Sequence, residues 1–284
     1  MQLSRARKLA GKIKRKLSYG INLALQRWRD RGWHSSTPNP VLAETLGPLA
    51  TTPSDIRDHI GTIFYEAISS RPRLLVELGT RGGVSTRALL AAAEIADAHV
   101  LSIDIEDCSA IDLPAGLHKR WTFIRADDVL FAGEPFGTFC ATRGLPPVAD
   151  VILVDTSHLY EHTCAEIRNW LPRLGQGGVI MFHDTNMGTD WHRRLDRDIG
   201  SGWDNERGVI RAVEEFLGRR YDEQTFFTDV AAGFVITHLP WSAGFLVMRK
   251  LGEGANFFDL AASSRATHAR GEGRLAELSF RVKS

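Results

Sequence analysis

The chain has 284 residues, with 35 Lys and Arg against 34 Asp and Glu, a formal net charge of +1, 43% hydrophobic and 24% charged residues. These values match an ordinary globular protein and exclude a collagen-like, disordered or disulfide-scaffold chain. Three cysteines (Cys108, Cys140, Cys164) without metal-type spacing point to a reducing, cytoplasmic compartment, and no apolar run reaches the roughly 18 residues of a membrane span.

Residues 1–31 hold ten Lys or Arg and a single acid, Asp30. Leu3, Ala6, Ala10, Ile13, Leu17, Ile21, Leu25 and Trp28 recur every three or four residues, so a basic amphipathic helix is predicted there. Such an arm can lie peripherally on an anionic membrane surface, or pack on its own domain or a second subunit. Residues 32–51 are rich in turn formers and read as a linker. Residues 52–251 form the predicted domain, and 252–284 a polar tail.

Thr52-Pro53-Ser54-Asp55 has the signature of a helix start, with Ile56, Ile60, Ile63, Phe64 and Ile68 as the apolar face and Pro72 after it. Strands are predicted at Leu74–Leu78, Val100–Asp104, Trp121–Arg125, Val151–Asp155 and Val179–His183. Helices are predicted at Val84–Ile95, from Asp155 to about Leu174, and at Gly208–Arg219. Phe234–Thr237 and Gly244–Arg249 read as a closing hairpin. Strands alternating with helices imply an α/β fold, a mostly parallel sheet covered on both faces.

The first strand runs into Glu77-Leu78-Gly79-Thr80-Arg81-Gly82-Gly83-Val84-Ser85. In a parallel sheet a ligand sits at the carboxyl ends of the strands, and glycines let the backbone approach it. The nicotinamide spacing G-x-G-x-x-G is not met by Gly79, Gly82 and Gly83. Glu77, two residues before the first glycine, suits an ammonium group better than a pyrophosphate.

The pattern E-x-G-x-x-x-G, as Glu77, Gly79 and Gly83, resembles the first motif of class I S-adenosylmethionine-dependent methyltransferases. That resemblance implies a Rossmann-like seven-stranded sheet ending in an antiparallel hairpin, with S-adenosyl-L-methionine as cofactor. It places Glu77, Gly79, Thr80, Gly83 and Ser85 around the cofactor's amino acid end, Asp104 on the ribose hydroxyls, and Asp127 and Asp128 by the adenine. With Trp170-Leu171-Pro172 and Gly177-Gly178, residues 70–250 are similar to metal-dependent O-methyltransferases of small molecules and sugars. The macrocin, rhamnosyl and cephalosporin-hydroxylase-type groups look nearest.

That second resemblance implies a divalent cation, Mg2+ or Mn2+, on Asp155, His183 and Asp184; Asn186 is the alternative oxygen donor in place of His183. His183 stands where the group carries a carboxylate or amide, which points to a more imidazole-tolerant metal. His158, three residues after Asp155, falls where catechol-type relatives place a catalytic lysine and is assigned as the base, while His162 is read as structural. A helix-capping role is the other reading of His158.

Residues 185–207 read as a long irregular lid or binding loop, with Trp191, His192 and Arg193, then Arg194 and Trp203, facing the substrate. The implied function is O-methylation of a small-molecule hydroxyl, of a sugar or glycosylated metabolite, by a homo-oligomer. A non-catalytic cofactor-binding or assembly protein on the same fold is the alternative. With no basic stripe on the domain, no nucleic acid partner is expected.

Overall fold

A computed structural model describes residues 54–114, 116–192 and 199–252. The predicted N-terminal arm, linker and tail lie outside the described residues, as do Arg193 and Arg194. Ser54 is extended before a 3-10 turn, Asp55–His59, and helix α1 (Ile60–Ser69) follows. The remaining order is β1 (Leu74–Leu78), α2 (Val84–Ala96), β2 (His99–Asp104), β3 (Trp121–Arg125), α3 (Asp128–Phe131), α4 (Glu134–Thr142), β4 (Ala149–Val154) and α5 (Tyr160–Trp170). Then come β5 (Leu174–His183), β6 (Asp190–His192), β7 (Ile199–Ser201), α6 (Gly208–Leu217), β8 (Phe227–Ala231), β9 (Phe234–Leu239) and β10 (Phe245–Lys250).

The main sheet has the order β3-β2-β1-β4-β5-β10-β9-β8, with the first five strands parallel and the last three antiparallel. It is the expected mostly parallel α/β sheet, one strand wider than expected. The added strand, β8, joins β9 through Ala232-Gly233, both at positive φ. That geometry is the tight hairpin turn whose usual marker is Asn-Gly, and alanine in its place hides the turn in the sequence.

β5 begins at Leu174 rather than Val179. Gly175–Gly178 form an irregularity within the strand, not a turn before it, and the pairing with β4 shifts register between Ala149 and Val151. The short helices α3 and α4 were not expected from the sequence; Asp127 caps the first, and Pro135 sits in the first turn of the second. The 185–207 segment is also more regular than predicted, because β6 and β7 pair antiparallel within it.

β1 is buried along its whole length, as a central parallel strand must be. Alternate residues face opposite layers. Leu74, Val76 and Leu78 join the cluster that includes Phe136, Trp170, Val209 and Val213, whereas Leu75 joins Ile63, Leu89, Leu90 and Val151. Glu77 has the parity of Leu75 and therefore points under α2. Among the described residues no helix is long and apolar enough to cross a membrane.

Candidate functional site

The turn after β1 is fixed by close backbone approach. Gly79 has φ +86°, and a Cβ there would stand 2.0 Å from the Asp155 carbonyl oxygen at the tip of β4. Gly83, at φ +74°, caps α2, where a Cβ would stand 2.6 Å from Ile111 Cδ1. No side chain fits either position without displacing a neighbour.

Glu77 is fully buried, and its carboxylate accepts from Ser85 Oγ (2.7 Å), Thr86 Oγ1 (2.8 Å) and Ser102 Oγ (2.6 Å). Burial outweighs these three bonds and lifts its pKa from 4.5 to about 7. Glu77 and Ser85 thus bind each other in the layer between β1 and α2. Thr80 is buried, and its N–H donates to Asp104 Oδ2 at 2.7 Å.

Asp104 also accepts from Arg81 N (3.2 Å) and Glu106 N (2.9 Å). Burial alone would raise its pKa, but the N–H groups of Thr80, Glu106 and Arg81 hold it below the ordinary value. The tips of β1 to β4 enclose a cavity of about 490 Å3 that takes in Gly79, Asp104, Asp127, Asp128 and Asp155. That volume lies within the range of small-molecule sites. Glu106 and Leu159, not singled out in the sequence, and His162, read there as structural, also line it. The i, i+2 spacing of Asp104 and Glu106 past a strand end was a usable signal for the first of these. Asp127 accepts from Leu130 N at 2.9 Å and caps α3.

Asp128 opens that helix. Its Oδ1 lies 3.1 Å from His162 Nε2, and its carbonyl accepts from Trp170 Nε1 at 3.2 Å. Burial first, and then the Asp128 charge, lift the pKa of Glu166 to about 8.

Asp155 and Asp184 do meet, across β4 and β5, through imidazoles. His183 Nδ1 lies 3.1 Å from Asp155 Oδ1 and 3.2 Å from Asp184 Oδ2; His158 Nδ1 lies 2.8 Å from Asp184 Oδ2. Burial alone would strip His183 of its proton, but the charges of Asp184 and Asp155 hold its pKa well above the ordinary value. Asp184 is held well below the carboxylate range, because His183 and His158 offset its burial.

Asp155, His158 and Asp184 each offer a ligand atom within 4.8 Å of the others. His183 lies beneath them, 1% exposed, while His158 is the imidazole towards the surface, with Trp203 6.2 Å from its ring. His158 and Asp184 both hold left-handed φ, +59° and +57°, conformations that non-glycine residues keep only where the surroundings impose them. Asp184 Oδ1 is buried with no hydrogen-bond partner. An orphaned carboxylate oxygen beside a second carboxylate fits a cation.

Asn186 does not reach this group. Its Nδ2 donates to Pro240 O (2.7 Å) and its Oδ1 accepts from Gln224 Nε2 (2.6 Å). His59, which the sequence reading passed over, is fully buried, stacks on Phe245 at 4.8 Å and meets His183 edge-on at 5.8 Å. His192 is exposed on β6, and the neighbouring Trp191 ring occupies the space beside Gly200 on β7.

Residues 76–185 match a family model described as a methyltransferase domain. An uncharacterised protein of Sinorhizobium fredii, y4gI, is 29% identical over an alignment of 131 positions that covers 41% of this chain but only 14% of that protein's length. Solved structures share the fold. The O-methyltransferase of Bacillus cereus in complex with SAH has a TM-score of 0.51 at 14% identity, covering 80% of this chain and 97% of that one. Cofactor-bound Rv0187 from MTB has a TM-score of 0.50 at 17% identity, covering 80% and 96%. SAH-bound PaMTH1 of Podospora anserina has 0.50 at 14%, covering 81% and 95%.

Proposed function

We propose that the chain is an S-adenosylmethionine-dependent O-methyltransferase that moves a methyl group to a hydroxyl of a small molecule, a sugar or glycosylated metabolite. One observation carries the reading. A single cavity runs from the glycine turn and Asp104 to Asp155, where His158 and Asp184 cluster, and all its lining residues fall within the stretch that matches the methyltransferase model.

Each end suits its task. Asp104, holding the turn through backbone N–H groups, and Glu106 beside it suit the vicinal hydroxyls of a ribose. Trp203, 44% exposed beside His158, offers an aromatic face of the kind sugars stack on. Asp184 orients His158 through Nδ1, which leaves Nε2 as the nitrogen available to a substrate proton. In the reaction the acceptor oxygen attacks the methyl carbon, and a C–O bond forms as the C–S bond breaks. The electron pair leaves on sulfur as a neutral thioether, and the hydroxyl proton passes to His158 Nε2. Asp155 and Asp184 would hold a divalent cation, Mg2+ or Mn2+, that supplies Lewis acidity to the hydroxyl. His183 Nδ1, 3.1 Å from Asp155 Oδ1 and 3.2 Å from Asp184 Oδ2, keeps the two carboxylates facing each other.

Calorimetric titration with S-adenosylmethionine and with NAD, followed by transfer of a labelled methyl group to a panel of glycosides and phenols, tests the proposal. Binding of the first nucleoside alone and chelator-sensitive transfer are expected. His158→Ala should lower turnover about 10²–10⁴-fold with little change in donor affinity. Transfer that survives exhaustive chelation removes the cation from the reading, and equal losses of affinity and turnover remove the base. Tight binding without transfer to any acceptor favours the non-catalytic alternative.

A further inference from the structure

A second group of ligating side chains stands at the wall of the same cavity, away from Asp155 and Asp184. Asp128 begins α3, and His162 and Glu166 lie one turn apart on α5, so all three face one point. His162 Nε2 is 3.1 Å from Asp128 Oδ1 and 3.6 Å from Glu166 Oε1, and each residue offers a ligand atom within 4.8 Å of the others. Ligands about 2.1 Å from one ion, in cis or tetrahedral positions, stand roughly 3.0–3.4 Å apart, close to the two distances found.

The oxygens left over point the same way. Glu166 is 0% exposed and Asp128 5%, and Glu166 Oε2 and Asp128 Oδ2 are buried with no donor from any other residue, the two carboxyl groups meeting only each other. Thr156 Oγ1 satisfies Glu166 Oε1, and His162 satisfies Asp128 Oδ1, so these pairings do not account for the orphans. Buried carboxylate oxygens without donors are rare because they forfeit their hydration. Asp128 and His162 line the cavity, which provides an entry path.

We propose that Asp128, His162 and Glu166 form a second divalent-cation site, for an imidazole-accepting ion of the Mn2+, Co2+ or Zn2+ class. One imidazole with two carboxylates suits these ions, whereas Mg2+ demands an octahedron of oxygens. A cation there pins the start of α3 to α5 across the cavity wall.

The test uses the full chain, stripped by chelator and titrated with Co2+, reading stoichiometry by calorimetry and donor set by visible absorption. Asp184→Asn disables the first centre. That variant should still bind one equivalent of Co2+ with a nitrogen–oxygen spectrum. Adding His162→Gln or, independently, Glu166→Gln should abolish that equivalent, with the metal-free melting temperature and circular dichroism unchanged for at least one of the two. The proposal is overturned if Asp184→Asn binds no Co2+, or if its bound Co2+ is indifferent to both further substitutions. The readout is metal rather than methyl transfer, so failure of the proposed activity leaves this result interpretable.

Discussion

Replacing Glu77 by Gln isolates the cost of a carboxyl group buried between β1 and α2. In the folded chain the pKa of Glu77 is about 7, because burial outweighs the hydroxyls of Ser102, Ser85 and Thr86; in the unfolded chain it returns to about 4.5. Below pH 4.5 both states hold the proton, and the full stability is present. As pH rises towards 7 the unfolded chain releases a proton that the folded chain keeps, so stability falls. At about 1.4 kcal/mol per pH unit, the rise from 4.5 to about 7 corresponds to about 3.4 kcal/mol, of which about 2.5 kcal/mol is lost between pH 5 and pH 8. Gln has nearly the same shape and does not titrate. Urea unfolding of both proteins at pH 5 and pH 8, without cofactor, should show the variant gaining about 2.5 kcal/mol on the parent over that interval. Parallel pH curves would refute the reasoning, since they would mean that burial leaves the proton affinity of this carboxyl unchanged.

Gly79→Ala places a methyl 2.0 Å from a backbone oxygen at φ +86°, so it should destabilise by about 3 kcal/mol or more and abolish donor binding, read by thermal unfolding and calorimetry. Asp127→Ala removes the α3 cap and should cost about 1 kcal/mol in urea unfolding. Burial lowers the His158 pKa, but the hydrogen bond and charge of Asp184, with the charge of Asp155, carry it above 6.5. In the metal-free chain the His158 ring should therefore titrate above 6.5, read by NMR of its imidazole protons. That titration should move down in Asp184→Asn, and an unmoved one would separate the proton affinity of His158 from this pair.

Much of the scaffold was readable because its signals are local. β1 to β5 are apolar runs bounded by turn formers, and each predicted run overlaps the strand found. Gly79 and Gly83 were legible as a turn requiring close approach. What failed were features without local markers: β8 behind an Ala-Gly turn, the short helices α3 and α4, and the regular pairing of β6 with β7. Strand alternation from Leu75 turns Glu77 towards α2, where its carboxylate meets three hydroxyls that motif spacing alone does not specify. The hydroxyls of Ser85, Thr86 and Ser102 were the available clue.

The core strands β1 to β5, the carboxyl ends of those strands and the residue types gathered there are written in the chain, because hydrophobic periodicity and backbone sterics act over a few residues. Which acid meets which histidine is not. Asp184 clasping His158 and His183, and Asp128 facing His162 and Glu166, arise only when separate strands and helices pack. Burial then makes unpaired charge expensive, so the partners are chosen by proximity in space and charge balance, quantities with no counterpart along the sequence.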